Sequence, residues 1–353
     1  MNRSRIEALL TKSSTLRIAV VGDAMLDVYL RGDVERISPE APVPVVRVRE
    51  RKDALGGAAN VAQNVAAIGA RVELVAVTGS DDDAERLRHM LGALGGDTRG
   101  LVKTSRPTTT KTRVLARAQQ LIRVDEEVDS DCTDSEAELL LAAVDRAVAD
   151  ADALVLEDYN KGVLVMPVIA RAIAQARIKD IPIVVDPKYH NFFAYKGATV
   201  FKPNRRELEA ALGAAVDLDH PDALPLVLDR LGVENLLLTL SEKGMALVQT
   251  GDGGRKTGDG RHRTAEERRH ASTVAKSDGV RIDRIPTTAR EVYDVVGAGD
   301  TVTAYLAAML AAGATAHEAA VIANYAAGVE VGKLGAATVS PDEVLEAFDA
   351  HTQ

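Results

Sequence analysis

Cysteine, tryptophan and long apolar runs are what this 353-residue sequence has least of. Its one cysteine, Cys132, excludes a disulfide framework within the chain and any cysteine-rich metal centre. That residue lies in an acidic stretch, Asp129 to Asp134, and reads as an exposed loop residue without function. Seven histidines are scattered without the spacing of metal ligands. The apolar runs fall short of the roughly 18 residues a membrane span needs, and the N-terminus shows no signal core. Residues 1–14 are polar apart from Ile6, Leu9 and Leu10, which share one helical face. Basic residues are also in deficit. The 43 Lys and Arg against 52 Asp and Glu leave a formal charge of −9, which argues against nucleic acid as a partner. A cytoplasmic protein that meets neither membrane nor nucleic acid is expected.

What is present is ordinary globular material, 46% hydrophobic and 27% charged, enough for two domains or one large α/β domain with an appendage. The most informative stretch is Asp294-Val295-Val296-Gly297-Ala298-Gly299-Asp300-Thr301. It lies between Arg290–Tyr293, which reads as a strand, and Val302–Ala312, an apolar run that reads as a buried helix. Gly297 and Gly299 leave backbone N–H groups uncovered at the helix start, where the helix adds unpaired N–H groups and the positive end of its dipole. Such a turn holds an anion. A carboxylate beside it, Asp300, makes sense if a phosphoryl group is in transit and the carboxylate takes the proton of the attacking hydroxyl. Helix capping alone explains the same residues, so the rest of the chain must decide.

Leu16–Val21 reads as the first strand of a buried sheet and runs into Gly22 and Asp23, with Asp27 close behind. Acidic groups at such a strand end suit either a ligand site or simple turn chemistry. From Val28 the period changes. Val28–Ile37 and Val43–Val48 alternate apolar and polar residues around a proline-rich bend, and Thr108–Ala116 with Gln120–Val124 do so again. These pairs predict a small sheet with one open face, a lid over a site or a dimerisation surface. Gly56-Gly57-Ala58-Ala59-Asn60 opens a helix to about Ile68, its small residues allowing close approach and Asn60 offering a donor and an acceptor to a sugar hydroxyl.

Strands then alternate with helices, and four strand ends carry polar groups: Glu157-Asp158, Asp186 with Lys188, Lys202-Pro203-Asn204, and Ser241 to Gly244. Four on one sheet rim make a site. Thr133 to Glu136 and Asn204 to Glu207 have the pattern of capping boxes, and Glu207 could equally organise water around a divalent cation on phosphates. Residues 249–281 are polar, without periodicity, and read as a disordered or extended insertion between two strands. Two helices, Thr315–Gly332 and Ser340–Ala350, close the pattern.

With these motifs in view the chain resembles the ribokinase-like sugar kinases of the PfkB family from about Leu16 to Ala350. Within that family it is most similar to kinases of D-glycero-β-D-manno-heptose 7-phosphate. Arg36-Ile37-Ser38-Pro39-Glu40-Ala41-Pro42-Val43-Pro44-Val45, Leu55 to Ala62, and Val331-Gly332-Lys333-Leu334-Gly335 carry that match. The resemblance implies a single kinase domain over residues 1–353, with a mostly parallel central sheet flanked by helices and a β lid, about 28–49 and 108–124, that pairs in a homodimer. It implies ATP and Mg²⁺ as cofactors, and transfer to the anomeric O1 to give the 1,7-bisphosphate, a step towards ADP-heptose for the lipopolysaccharide core.

Asp300 would be the base, with Gly297, Ala298 and Gly299 as the anion hole. Asn204, Glu207, Ser241, Gly244 and Asn324 would serve the nucleotide, Glu207 reaching the metal through water. Asp27, Gly56, Gly57, Asn60 and Asp158 would serve the sugar, with Arg113, Lys161 and Lys188 the candidate cations for its phosphate. Two positions depart from the family: Val296 replaces a usual threonine and Tyr305 a usual small residue. The bifunctional relatives also carry a nucleotidyltransferase with a His-x-Gly-His motif, which this sequence lacks, so the kinase alone is expected. A kinase of the same fold for another sugar or a nucleoside is the near alternative, and a non-catalytic nucleotide-binding regulator the distant one.

Overall fold

In the computed structural model, residues 1–117, 119–250, 274–277, 280–289, 291–333 and 335–352 are described. The chain opens with α1 (Arg3–Ser13) and β1 (Arg17–Gly22). Two long strands, β2 (Ala24–Ile37) and β3 (Pro44–Gly57), lead into α2 (Ala58–Ala67), β4 (Arg71–Thr78), α3 (Asp82–Ala93) and β5 (Leu101–Lys103). A second pair, β6 (Thr110–Ala116) and β7 (Gln119–Glu126), precedes α4 (Asp134–Ala149) and β8 (Ala153–Glu157). Then come α5 (Met166–Ile178), β9 (Ile183–Asp186), β10 (Val200–Phe201), α6 (Arg205–Leu212), α7 (Leu224–Leu231) and β11 (Asn235–Thr239). Strands β12 (Met245–Thr250), β13 (Val274–Ser277) and β14 (Val280–Ile285) follow, and helices α8 (Ala298–Ala311), α9 (Ala316–Glu330) and α10 (Pro341–Thr352) end the chain.

Two sheets result. The larger has the order β13-β14-β12-β11-β10-β9-β8-β1-β4-β5, parallel from β11 to β5 and antiparallel from β11 to β13. The smaller has the order β3-β2-β6-β7. Continuous apolar runs form the parallel strands because both their faces are covered. Strand alternation divides their side chains between two cores. Ile18, Val20 and Val155 face the layer containing α2, α8 and α9, while Ala19, Val21, Leu154 and Leu156 face the layer containing α4 and α5. Helix α8 is buried from Asp300 to Met309 without a break, a helix apolar all round in the middle of its layer. The small sheet is half open, as its alternation predicts, and Val48, Ile122 and Val124 are exposed on it.

Local chemistry sets the helix starts. Thr133, Asn204 and Thr315 each complete a capping box with the glutamate three residues on. Three expectations need correction. Residues 291–293 form no strand; the Tyr293 N–H donates to Val331 O at 2.8 Å, and Val292 and Tyr293 are exposed, so the run has no sheet neighbour to pair with. Cys132 is buried, its N–H donating to Gly162 O at 3.0 Å, and burial pushes its thiol up to about 11. The insertion is shorter than 249–281, because 249–250, 274–277 and 280–281 lie in β12, β13 and β14 and pair with one another. The rest of it lies outside the described residues.

Candidate active site

The parallel order brings the carboxyl ends of β8, β9, β10 and β11 side by side, and α8 begins above them. Gly297 is the N-cap of α8 at φ +97, and no side chain caps the turn. A side chain there would be strained, and its Cβ would stand 3.1 Å from Asn60 Nδ2 and 3.2 Å from Glu330 Oε1. The first turn therefore keeps backbone N–H groups and the dipole for an anion. Asp300 lies in that turn, buried.

Both oxygens of Asp300 are held. Asn60 Nδ2 donates to Oδ2 at 2.7 Å, and the Tyr159 hydroxyl donates to Oδ1 at 3.0 Å. Asn60 is placed by α2, which starts where Gly57, at φ +55, lets the chain turn; a Cβ there would meet Asp23 O at 2.4 Å. Asn64, one turn on, donates to Asn60 O at 3.0 Å and accepts from Thr301 Oγ1 at 3.2 Å, tying α2 to α8. Tyr159 is placed by Asp23, whose buried carboxylate accepts the backbone N–H groups of Tyr159, Lys161 and Val163 at 2.8, 3.0 and 3.1 Å. Asp23 is thus the clamp of the loop after β8, although burial pushes it up to about 6.

Behind Asp300 the strand ends gather charge. Oxygens of Glu157, Asp186 and Asp300 all lie within 4.8 Å of one another, close enough to share a cation. Asp186 Oδ2 accepts from Lys202 Nζ at 2.6 Å, whereas neither Glu157 oxygen has a hydrogen-bond partner. Burial first, then Asp186 and Asp300, push Glu157 well above the usual carboxylate range. Burial works against the charge on Lys202, but Asp186 and Glu157 outweigh it and raise Lys202. Burial and Asp186 push Asp300 up to about 6, against the downward pull of Asn60, Tyr159 and Lys202. On the other side of the turn Glu330 is buried with no side-chain hydrogen-bond partner, and burial with Asp294 and Asp300 pushes it up to about 8 against the pull of the Ala337 N–H and Lys333.

The candidate cations for a sugar phosphate are all engaged. Lys161 donates to Glu127 at 2.7 Å, Lys188 to Glu207 at 2.5 Å, and Arg113 to Asp27 while stacking over Tyr29. Asp27 sits at the base of the small sheet, paired in register with Ala54, and Gly56 clears room for it: a Cβ there would be 2.5 Å from Asp27 Oδ2. Asp158 points to the opposite layer from Tyr159 and accepts from the Tyr195 hydroxyl at 2.7 Å. Asn204 and Glu207 cap α6, with Asn204 N–H donating to Glu207 Oε2 at 2.8 Å. Ser241 and Gly244 bound the short turn after β11, with φ of 54 and 83. Asn324 is buried, donates to Pro286 O at 2.8 Å, and accepts at its own carbonyl from Thr288 Oγ1 at 3.0 Å. The two departures are absorbed locally: Tyr305 is fully buried with its hydroxyl donating to Val339 O at 2.9 Å, and Val296 is exposed at the turn.

Sequence reasoning gave no role to Tyr159, Lys202 or Glu330. Period-two alternation from Val155 was the available signal for Tyr159, since it puts Glu157 and Tyr159 on the face that meets α8.

The fold and this turn define a class. The sequence pattern of the pfkB family of carbohydrate kinases matches residues 15–343, and the chain belongs to that family. A bifunctional protein HldE from Shewanella amazonensis is 45% identical over 336 residues, covering 95% of this chain and 64% of the relative. Another from Gluconacetobacter diazotrophicus is 43% identical over 340 residues, covering 96% and 64%. The chain thus spans just under two thirds of the length of the curated relatives it matches. Among solved structures, ribokinase from Arabidopsis thaliana complexed with ribose and ATP superposes with a TM-score of 0.68 at 19% identity, covering 94% of this chain and 98% of that one. The tetrameric inhibited form of phosphofructokinase-2 from Escherichia coli does so with a TM-score of 0.72 at 16% identity, covering 96% and 100%. The ribokinase-like fold is common to all three. Among the described residues no helix is long and apolar enough to cross a membrane.

Proposed function

We propose that this carbohydrate kinase, as one kinase domain, phosphorylates D-glycero-β-D-manno-heptose 7-phosphate at the anomeric O1, giving the 1,7-bisphosphate on the way to ADP-heptose. The observation that carries a phosphoryl transfer is Asp300, a buried carboxylate in the first turn of a helix whose N-terminus has no side-chain cap. The choice of sugar is supported by similarity to the HldE proteins over nearly the whole chain.

Bound ATP supplies the phosphoryl group. Gly297, Ala298 and Gly299 offer it backbone N–H groups as charge develops, and Asp300 accepts the proton of O1. Asn204, Ser241, Gly244 and Asn324 serve the nucleotide. Glu207 would hold Mg²⁺ only through water, because Oε2 is occupied by Asn204 and Oε1 by Lys188. Asp27, Gly56, Gly57 and Asn60 line the sugar's place, while Asp158, turned to the opposite layer and held by Tyr195, stands apart from it. Arg113, Lys161 and Lys188 provide the cations for its remote phosphate, exchanging or sharing their present carboxylate partners as it enters.

The small sheet pairs with that of a second copy in a cytoplasmic homodimer. Exposed Ile37, Val48, Ile122 and Val124 support that reading.

The test is turnover with ATP and Mg²⁺ across a panel of sugars. Binding energy from a remote phosphate orients the reacting hydroxyl, so the 7-phosphate is expected to be used at least ~10²-fold more efficiently than unphosphorylated heptose. Equal kcat/KM for the two would refute the assignment and point to a kinase of a neutral sugar.

A further inference from the structure

We propose that Tyr159 is the positioning residue of the base: its hydroxyl, opposite the Asn60 amide, fixes the Asp300 carboxylate in the orientation that receives the acceptor's proton. The proposal rests on the reading of Asp300 as that base. Tyr159 donates its hydroxyl to Asp300 Oδ1 at 3.0 Å, its backbone N–H is clamped by Asp23 at 2.8 Å, and Lys188 Nζ stands 5.3 Å from its ring centroid. The Asp23 clamp thus holds the backbone from which the ring projects, and the bond to Asp300 holds the hydroxyl.

Such a donor is needed because Asp300 faces a hostile field. Glu157 from β8, Asp186 from β9 and Glu330 from α9 are all acidic; Lys202, after β10, bonds Asp186, while Lys188 offsets Glu157 and Lys333 offsets Glu330 without a hydrogen bond to either. A carboxylate there binds a proton readily and is then no base. Two neutral donors, one on each oxygen, favour the anion without adding a charge that would trap the phosphoryl group. A carboxylate oxygen accepts more than one hydrogen bond, so the acceptor hydroxyl can join Oδ1 with the phenol still in place.

The experiment is Tyr159→Phe in the full chain, assayed with MgATP and the best sugar of the panel. The expected result is a fall in kcat of about tenfold at pH 7, with KM for sugar and ATP within about twofold. The acid limb of the pH–rate profile is expected to move up by roughly one unit from about 6, which accounts for only about twofold of that fall at pH 7 and is recovered at higher pH; the remainder reflects the misplaced carboxylate and persists. Combined with Asp300→Asn, the phenol's loss should cost less than about twofold more, since Tyr159 acts only through the carboxylate. Asn60→Ala, which removes the other donor, should move the same limb in the same direction, and it decides the matter if Tyr159→Phe melts early. An acid limb that stays in place for a folded Tyr159→Phe, or for Asn60→Ala where Tyr159→Phe does not fold, a loss confined to KM, or full multiplicative loss in the double mutant would overturn the proposal. Undiminished turnover by Asp300→Asn would instead overturn the reading of the base.

Discussion

The rim of the large sheet and the open face of the small one both carry dense charge, and they treat it in opposite ways. On the small sheet, Arg49 with Asp33 and Arg51 with Asp53 form pairs of 3.0 and 2.9 Å in which both arginines and Asp33 are open to water and Asp53 is partly covered. At the rim, Lys202 with Asp186 and Lys188 with Glu207 are drawn inside, and Glu157 is buried with neither oxygen in a hydrogen bond, Glu330 with no side-chain partner. Water screens the first set and leaves each pair little net energy. Exclusion of water makes the second set costly and reactive, as a transfer site requires. Where charge is buried without full compensation, the chain is holding chemistry rather than stability.

That contrast should break first at Asp300. Asp300→Asn keeps shape and removes the proton acceptor, so kcat is expected to fall ~10²–10⁴-fold in a steady-state assay, with ATP binding retained by calorimetry. Near-normal turnover would take Asp300 out of the mechanism. Next is Lys202, 3% exposed and bonded to Asp186. Lys202→Met strands Asp186 beside Glu157, and removing one partner of such a buried pair is expected to cost about 3–5 kcal/mol in denaturant unfolding. A loss below about 1 kcal/mol would mean that Asp186 takes a proton in compensation.

Glu330 sharpens the comparison through pH. Its folded pKa is about 8, raised from an unfolded value near 4.5, so the folded state favours its neutral form. The stability tied to that proton is complete below about pH 4.5 and is lost as pH rises to about 8. Glu330→Gln cannot ionise. Relative to the wild type the variant should gain up to about 5 kcal/mol between those limits and no more beyond them. Unfolding curves for both proteins at several pH values check this; a constant difference would mean that Glu330 is ionised throughout.

Much of this was legible in the sequence for physical reasons that act locally. Strand alternation gave the small second sheet, apolar runs gave the parallel sheet, and the glycines before Asp300 gave the uncapped turn at the start of α8, since each depends on neighbours along the chain. The misreadings share the opposite cause. Val292 and Tyr293 have a strand's composition but no partner edge, and pairing is not written in one segment. Acidic neighbours made Cys132 look exposed, yet the chain tucks it against Gly162, whose Cβ, if present, would stand 2.2 Å from Ser130 O. Lys188 and Lys161 were legible as site-rim cations but not as partners of Glu207 and Glu127, because those pairs form only when separate strand ends and loops meet.

The smallest effect is expected on the lid, and it completes the contrast. Arg49 bonds Asp33 at 3.0 Å and approaches Glu35 at 3.9 Å, with its side chain 52% exposed. By distance alone this is as good a pair as Lys202 with Asp186. Its energy is governed instead by the medium: in water the Coulomb gain is small, salt screens it, and ordering two long side chains offsets most of the rest. Arg49→Ala is therefore expected to change unfolding free energy by less than about 1 kcal/mol at low salt and by nothing measurable at high salt. Turnover should be unchanged, because the pair touches no group of the rim. A loss as large as that of Lys202→Met would mean that this face is covered in solution, and a loss that deepens on dilution of the protein would identify the cover as a second copy of the chain.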